Sequence, residues 1–67
     1  MTYRELRGKL RRLGFEFIRH GGRHDIWGIR GTKTWTPVPR HRGEVPPGTL
    51  ASILRELDLR REDLEGR

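Results

Sequence analysis

The residues with chemistry to offer are three histidines: His20, His24 and His41. The first two bracket a glycine pair in the stretch HGGRHDIW, residues 20–27. Histidine trades protons near neutrality, because its ordinary pKa is about 6.5. Arginine supplies a fixed charge and paired donors for phosphate, and Arg19, Arg23 and Arg40 are close in sequence to these histidines. His24 is therefore a candidate general acid or base, or simply a polar residue at a bend. His20 is expected to close a strand as a solvated residue. His41, in a loop, is expected to bind or to support structure. Asp25 follows His24 directly, but neighbours on a strand point to opposite faces, so a direct His24–Asp25 pair is not expected. Gly21 and Gly22 suit a turn that needs positive φ, and they keep side chains from shielding His24.

The composition narrows the partners. Fifteen Lys and Arg stand against nine Asp and Glu, for a net charge of +6, and only Lys9 and Lys33 are lysines. A small, arginine-rich basic chain is a nucleic-acid candidate, because neutralising phosphates supplies affinity without sequence preference. The simpler alternative is that charge serves solubility or an acidic protein partner. The 67 residues contain no cysteine, which rules out disulfides and thiolate chemistry. The histidines and acids show no metal-ligand spacing, so no metal or cofactor is expected. The N-terminus MTYRELRGKLRRLG lacks an apolar leader, and no apolar run reaches the roughly 18 residues of a membrane span. A cytoplasmic protein away from membranes is expected, as one domain over residues 1–67.

The elements that must position these side chains follow from spacing. Thr2 and Glu5 fit a capping box, and Tyr3, Leu6, Leu10 and Leu13 share one helix face. Gly14 suits the residue just past the end of that helix. Aromatic and β-branched residues mark strands over 15–20, 24–30 and 33–38, joined by turns at Gly21-Gly22 and Arg30-Gly31-Thr32-Lys33. Pro37 and Pro39 put the third strand at an edge. The segment 39–48 reads as a loop, and Pro46-Pro47 opens a helix to about Asp58 whose apolar face is Leu50, Ile53, Leu54 and Leu57. Glu62 and Asp63 suit a short final helical turn. The order is α-β-β-β-α: an α+β fold with a three-stranded antiparallel sheet and two helices on one face. Both parity sets of the second strand contain apolar residues, and a bulge at Gly21-Gly22 would shift the register, so the face taken by His24 stays open. Trp27 and Trp35 suit base stacking, but packing is the commoner role in so small a core.

Four pieces in this order resemble the HicA family, the RNA-cleaving toxins paired with HicB antitoxins. They are Leu13-Gly14-Phe15 closing the first helix, GGRHDIW at 21–27, TPVPRH at 36–41, and PGTLASILREL at 47–57. The family fold resembles a double-stranded-RNA-binding domain, in agreement with the order above. The resemblance implies a ribosome-independent mRNA endoribonuclease, held inactive by a HicB-like antitoxin that masks the His24 region. The family's catalytic histidine falls in a Gly-Ser-His turn, which lands on Gly22, Arg23 and His24. Arg23 stands where the family has serine, which removes a hydroxyl and adds a possible phosphate contact.

Such an enzyme needs no metal. The RNA's own 2′-OH attacks the adjacent phosphorus, and the protein removes its proton, protonates the leaving 5′-oxygen and stabilises charge on phosphorus. The expected RNA contacts are Arg19, Arg23, Lys33, Arg40 and His41. The alternatives are a double-stranded-RNA-binding-like module that holds RNA without cutting it, and a module that only docks an acidic protein. The start of the last helix, GEVPPGTLAS, has no basic residue, which weighs against a duplex-binding module.

Overall fold

The computed structural model describes residues 1–65; the last two positions of the expected 1–67 domain lie outside the described residues. The elements are α1 (Tyr3–Arg12), β1 (Glu16–Gly21), β2 (His24–Gly28), β3 (Trp35–Pro39), α2 (Pro47–Glu56) and a short α3 (Arg61–Glu65). The expected α+β order holds, with α3 as the final helical turn. The strands form an antiparallel sheet in the order β1-β2-β3.

Both ends of α1 are closed by the residues that the spacing singled out. The Glu5 N–H donates to Thr2 Oγ1 at 3.1 Å, and the Thr2 N–H donates to Glu5 Oε1 at 2.8 Å. This capping box satisfies donors the helix leaves free. At the other end Gly14 takes φ +99. There the Gly14 N–H donates to the Arg11 carbonyl and the Phe15 N–H to the Leu10 carbonyl, each at 3.0 Å. That is a Schellman closure, and its apolar contact joins Leu10 and Phe15, both buried.

One core lies on one face of the sheet. Tyr3, Leu6 and Leu10 of α1 meet Trp27 and Val38 of the sheet, and Leu50, Ile53 and Leu54 of α2 with Leu57 just beyond it. Leu64 of α3 closes the same cluster. Register explains which strand residues enter. Asp25 lies opposite Val38 and Trp27 opposite Thr36, so this set faces the helices. His24, Ile26 and Gly28, opposite Pro39, Pro37 and Trp35, form the other set. Trp27 is 2% exposed, as packing requires. Trp35 is 47% exposed, against the packing expectation, because it belongs to the outward set.

The β1–β2 turn is tighter than expected. Gly21 is the last residue of β1, paired with His24, so the loop is only Gly22-Arg23. Gly22 has φ +64 and Arg23 has no positive φ, the pattern of a type II′ hairpin. The irregularity lies between Phe17 and Arg19 rather than at the glycines. Ile18 is the extra residue: Phe17 pairs with Trp27 and Arg19 with Ile26. A bulge of this kind re-aims the side chains before it. Phe17 and His20 thereby share the helix-side face, with ring centroids 5.0 Å apart.

The loop after β3 is pinned to the chain's start. The Tyr3 N–H donates to the Gly43 carbonyl at 3.0 Å and the Val45 N–H to the Met1 carbonyl at 2.9 Å. The terminal ammonium of Met1 lies 2.7 Å from Glu44 Oε1. This brings residues 40–42 beside α1. No helix among the described residues is long and apolar enough to cross a membrane.

Candidate functional site: the hairpin end of the sheet

All three histidines gather at one end of the sheet, but on two sides of it. His24 opens β2 on the outward face and is exposed. At the β3 edge of the sheet it lines an open groove of about 410 Å³ that runs from the outward Pro37 and Pro39 to Thr36 and to Thr49, Ser52 and Glu56 of α2 on the helix side. Among the described residues its ring has no hydrogen-bond or ion-pair partner.

Arg19 is the arginine on the His24 face. It pairs with Ile26, two residues along from the Gly21–His24 pair. Its guanidinium donates to the His20 carbonyl at 3.2 Å. A Cβ placed on Gly21 would lie 3.4 Å from that guanidinium. Gly21 lies directly across from His24. The turn itself belongs to Gly22 and Arg23. Beyond Arg19 the outward face continues as an apolar groove of about 310 Å³ lined by Ile18, Ile26, Ile29 and Trp35.

The helix side carries a different set. His20 Nδ1 lies 2.8 Å from Asp25 Oδ1, and Arg40 Nε lies 3.4 Å from the same oxygen. The Asp25 side chain is only 16% exposed, so the pair works at a lower effective dielectric than a fully solvated one. Arg40 also donates to the Gly22 carbonyl, and its N–H donates to the Arg23 carbonyl at 3.4 Å. Arg40, expected as an RNA contact, is thus a clamp that ties the end of β3 to the hairpin turn. His41 packs on Tyr3, with centroids 5.8 Å apart, and lines a concavity with Arg23 and Arg40.

The expected site residues therefore separate. His24, Arg19 and Gly21 share the outward face. Arg23, Arg40 and His41 belong to the hairpin tip and the helix side. Lys33 sits in the β2–β3 connection, at the opposite end of β2 from His24, and does not join the site. As expected, Asp25 does not pair with His24. It pairs with His20, which is thus held rather than merely solvated. A signal for this contact was in the sequence. A two-residue turn at Gly22-Arg23 pairs 21 with 24, and the next rung pairs 20 with 25.

Fold and site define a class: a small basic α+β domain that presents a histidine without a partner among the described residues, with an arginine on the same face, at the hairpin end of an antiparallel sheet. The family model described as the HicA toxin of bacterial toxin–antitoxin systems matches residues 3–59, and the chain belongs to that family. The match takes in the sheet, both longer helices and all three histidines. The protein is a toxin of a toxin–antitoxin pair, a role that implies an antitoxin partner. No curated protein matches the chain.

Proposed function

We propose that this toxin is a ribosome-independent mRNA endoribonuclease in which His24 moves the proton. The observation that carries this reading is the position of His24 within a HicA-family chain: exposed, without a partner among the described residues, and on the same sheet face as Arg19. His24 accepts the proton of the 2′-OH as that oxygen bonds to phosphorus. The bond from phosphorus to the 5′-oxygen breaks, and the leaving oxygen takes a proton from solvent or from a second carrier. The products are a 2′,3′-cyclic phosphate and a 5′-hydroxyl. Arg19 supplies charge to the phosphoryl oxygens, where preorganised donors contribute most. A HicB-like antitoxin silences the protein by covering the outward face, where His24 and the exposed Trp35 and Ile29 lie.

Expression of the chain without its antitoxin should arrest growth and deplete mRNA, and His24→Ala should abolish both while the protein remains folded. A fully toxic His24→Ala variant would overturn the assignment of His24. Purified wild-type protein that binds RNA and leaves it intact would instead favour the non-cleaving RNA-binding module.

A second reading takes His20 as the proton carrier, because Asp25 orients its ring at 2.8 Å. A carboxylate behind an imidazole fixes the tautomer and stabilises the protonated form. The two readings separate cleanly, since His20→Ala should retain cleavage under the first and lose it under the second.

A further inference from the structure

We propose that Arg7 and Arg42, with His41 between them and Arg40 and Arg23 leading to the hairpin tip, form a subsite for the backbone of single-stranded RNA on the helix side of the sheet. A bound strand then crosses the tip of the β1–β2 hairpin to reach His24 on the other face. The inference rests on the RNA-cleaving reading above and adds a surface to it.

Two adjoining concavities carry the idea. One, of about 320 Å³, is lined by Arg7, Asp25, Arg40, His41 and Arg42. The other, of about 460 Å³, is lined by Arg23, Arg40 and His41. Arg40 and His41 line both, so the two concavities adjoin. Three arginines and a histidine face a single carboxylate in the first concavity, and that carboxylate is already engaged by His20 and Arg40. Among the described residues Arg7, Arg23 and Arg42 have no carboxylate within ion-pair distance. Like charges held together without a counter-ion repel, and an anionic ligand relieves that repulsion.

The convergence is fixed by the backbone. Arg7 belongs to α1 and Arg42 to the loop after β3. The Tyr3–Gly43 and Val45–Met1 hydrogen bonds dock that loop on the start of the helix. The His41 ring packs against Tyr3 of the same helix. The subsite ends at Arg23, the residue before His24 in the chain, so a strand following it meets the proposed catalytic group. The exposed ring of Phe17, on the same face beside His20, offers a base a surface to stack on. A charged groove with an aromatic neighbour is how single strands are bound without sequence preference.

The test measures binding of a fluorescent oligouridylate to the full chain in a His24→Ala background, across a range of salt. Adding Arg7→Ala and Arg42→Ala should weaken binding at least tenfold at ordinary salt. It should also flatten the slope of log K against log salt by about 1.4, the share of two phosphates on a single strand. Removing two charges elsewhere, with Arg55→Ala and Arg60→Ala, should change affinity much less. Arg7→Lys with Arg42→Lys should restore most of the slope, and matching thermal melts exclude unfolding as the cause. Equal effects from both alanine pairs would overturn the subsite. Intact RNA affinity with lost antitoxin binding would also overturn it, assigning the concavities to an acidic protein segment. Cleavage by the His24→Ala protein, read in the same samples, would instead count against the assignment of His24 and leave the binding result standing.

Discussion

At the scale of single residues, two histidines that look alike in HGGRHDIW have opposite environments. His24 is open and without a partner among the described residues, whereas His20 is held by Asp25. Asp25 also holds Arg40, so one carboxylate orders an imidazole and a guanidinium at the hairpin end. Asp25→Ala should release both and leave the Arg40 guanidinium held by the turn carbonyl of Gly22. Breaking a hydrogen-bonded, half-buried ion pair should cost about 1–3 kcal/mol, visible as a lower urea midpoint. The direct effect on His24 should be small, since that side chain lies on the other face. Faster hydrogen exchange confined to the β1–β2 turn would show where the loss acts. A variant that loses cleavage with its stability and hairpin protection intact would instead place Asp25 in the chemistry, through His20.

At the scale of elements, α1 depends on its cap. The Glu5 carboxylate is held below its ordinary pKa of 4.5, first by the Thr2 N–H and then by the Thr2 hydroxyl. A carboxylate with a lowered folded-state pKa stabilises the fold above its unfolded value, and that contribution fades as pH falls through the folded value. The melting-temperature gap between wild type and Glu5→Gln should therefore be full at neutral pH and should close as the pH is lowered below about 4.5. Thr2→Ala removes the other half of the box and should cost about 1 kcal/mol. In the sheet, Gly28 has no room for a side chain. A Cβ there would run into the Thr34 carbonyl and sit 2.6 Å from Trp35 Cα. That carbonyl accepts the Ile29 N–H at 2.9 Å, so it is not free to move away. Gly28→Ala should cost about 1–3 kcal/mol, the range for overpacking, as a fall in the urea midpoint without a change in slope.

At the same scale, what was legible in the sequence was local. Thr2, Glu5 and Gly14 mark the ends of α1 because capping is chemistry within a few residues. The leucine spacings fix both helix faces for the same reason, except at Leu13, which caps α1 and stays exposed because the helix has already ended. The strand order and the edge position of β3 follow from short turns and prolines. Faces and partners were not legible. Apolar residues occupy both parities of β2, and the bulge at Ile18 moves Phe17 onto the face of Trp27. The Arg40 clamp and the meeting of Arg7 with Arg42 join segments far apart in the chain, and no local pattern encodes them.

At the scale of the whole molecule, the core is small and draws on all three helices and on β2 and β3. The family match ends at residue 59, yet Leu64 of α3 is buried in the same cluster as Leu6 and Trp27. Lys9 Nζ donates to the Leu64 carbonyl at 3.2 Å, which ties α3 back to α1. Leu64→Ala should cost about 2–5 kcal/mol, a large share of the few kcal/mol expected of so short a chain. A fall of about 10 °C or more in melting temperature would follow. An unchanged melting temperature would mean that α3 does not close the core.

Under the proposed function, one end of the sheet would serve two tasks. His24 and Arg19 on the outward face would do the chemistry, beneath the surface that an antitoxin would cover. The arginines on the helix side would hold the strand. The most direct test of the central claim incubates purified wild-type protein and its His24→Ala variant with a single-stranded RNA in EDTA and identifies the new ends. The account predicts that wild type yields 2′,3′-cyclic phosphate and 5′-hydroxyl ends, and that His24→Ala lowers the rate by about 10²-fold or more. Cleavage by the variant at the wild-type rate, or products bearing 5′-phosphates, would contradict it.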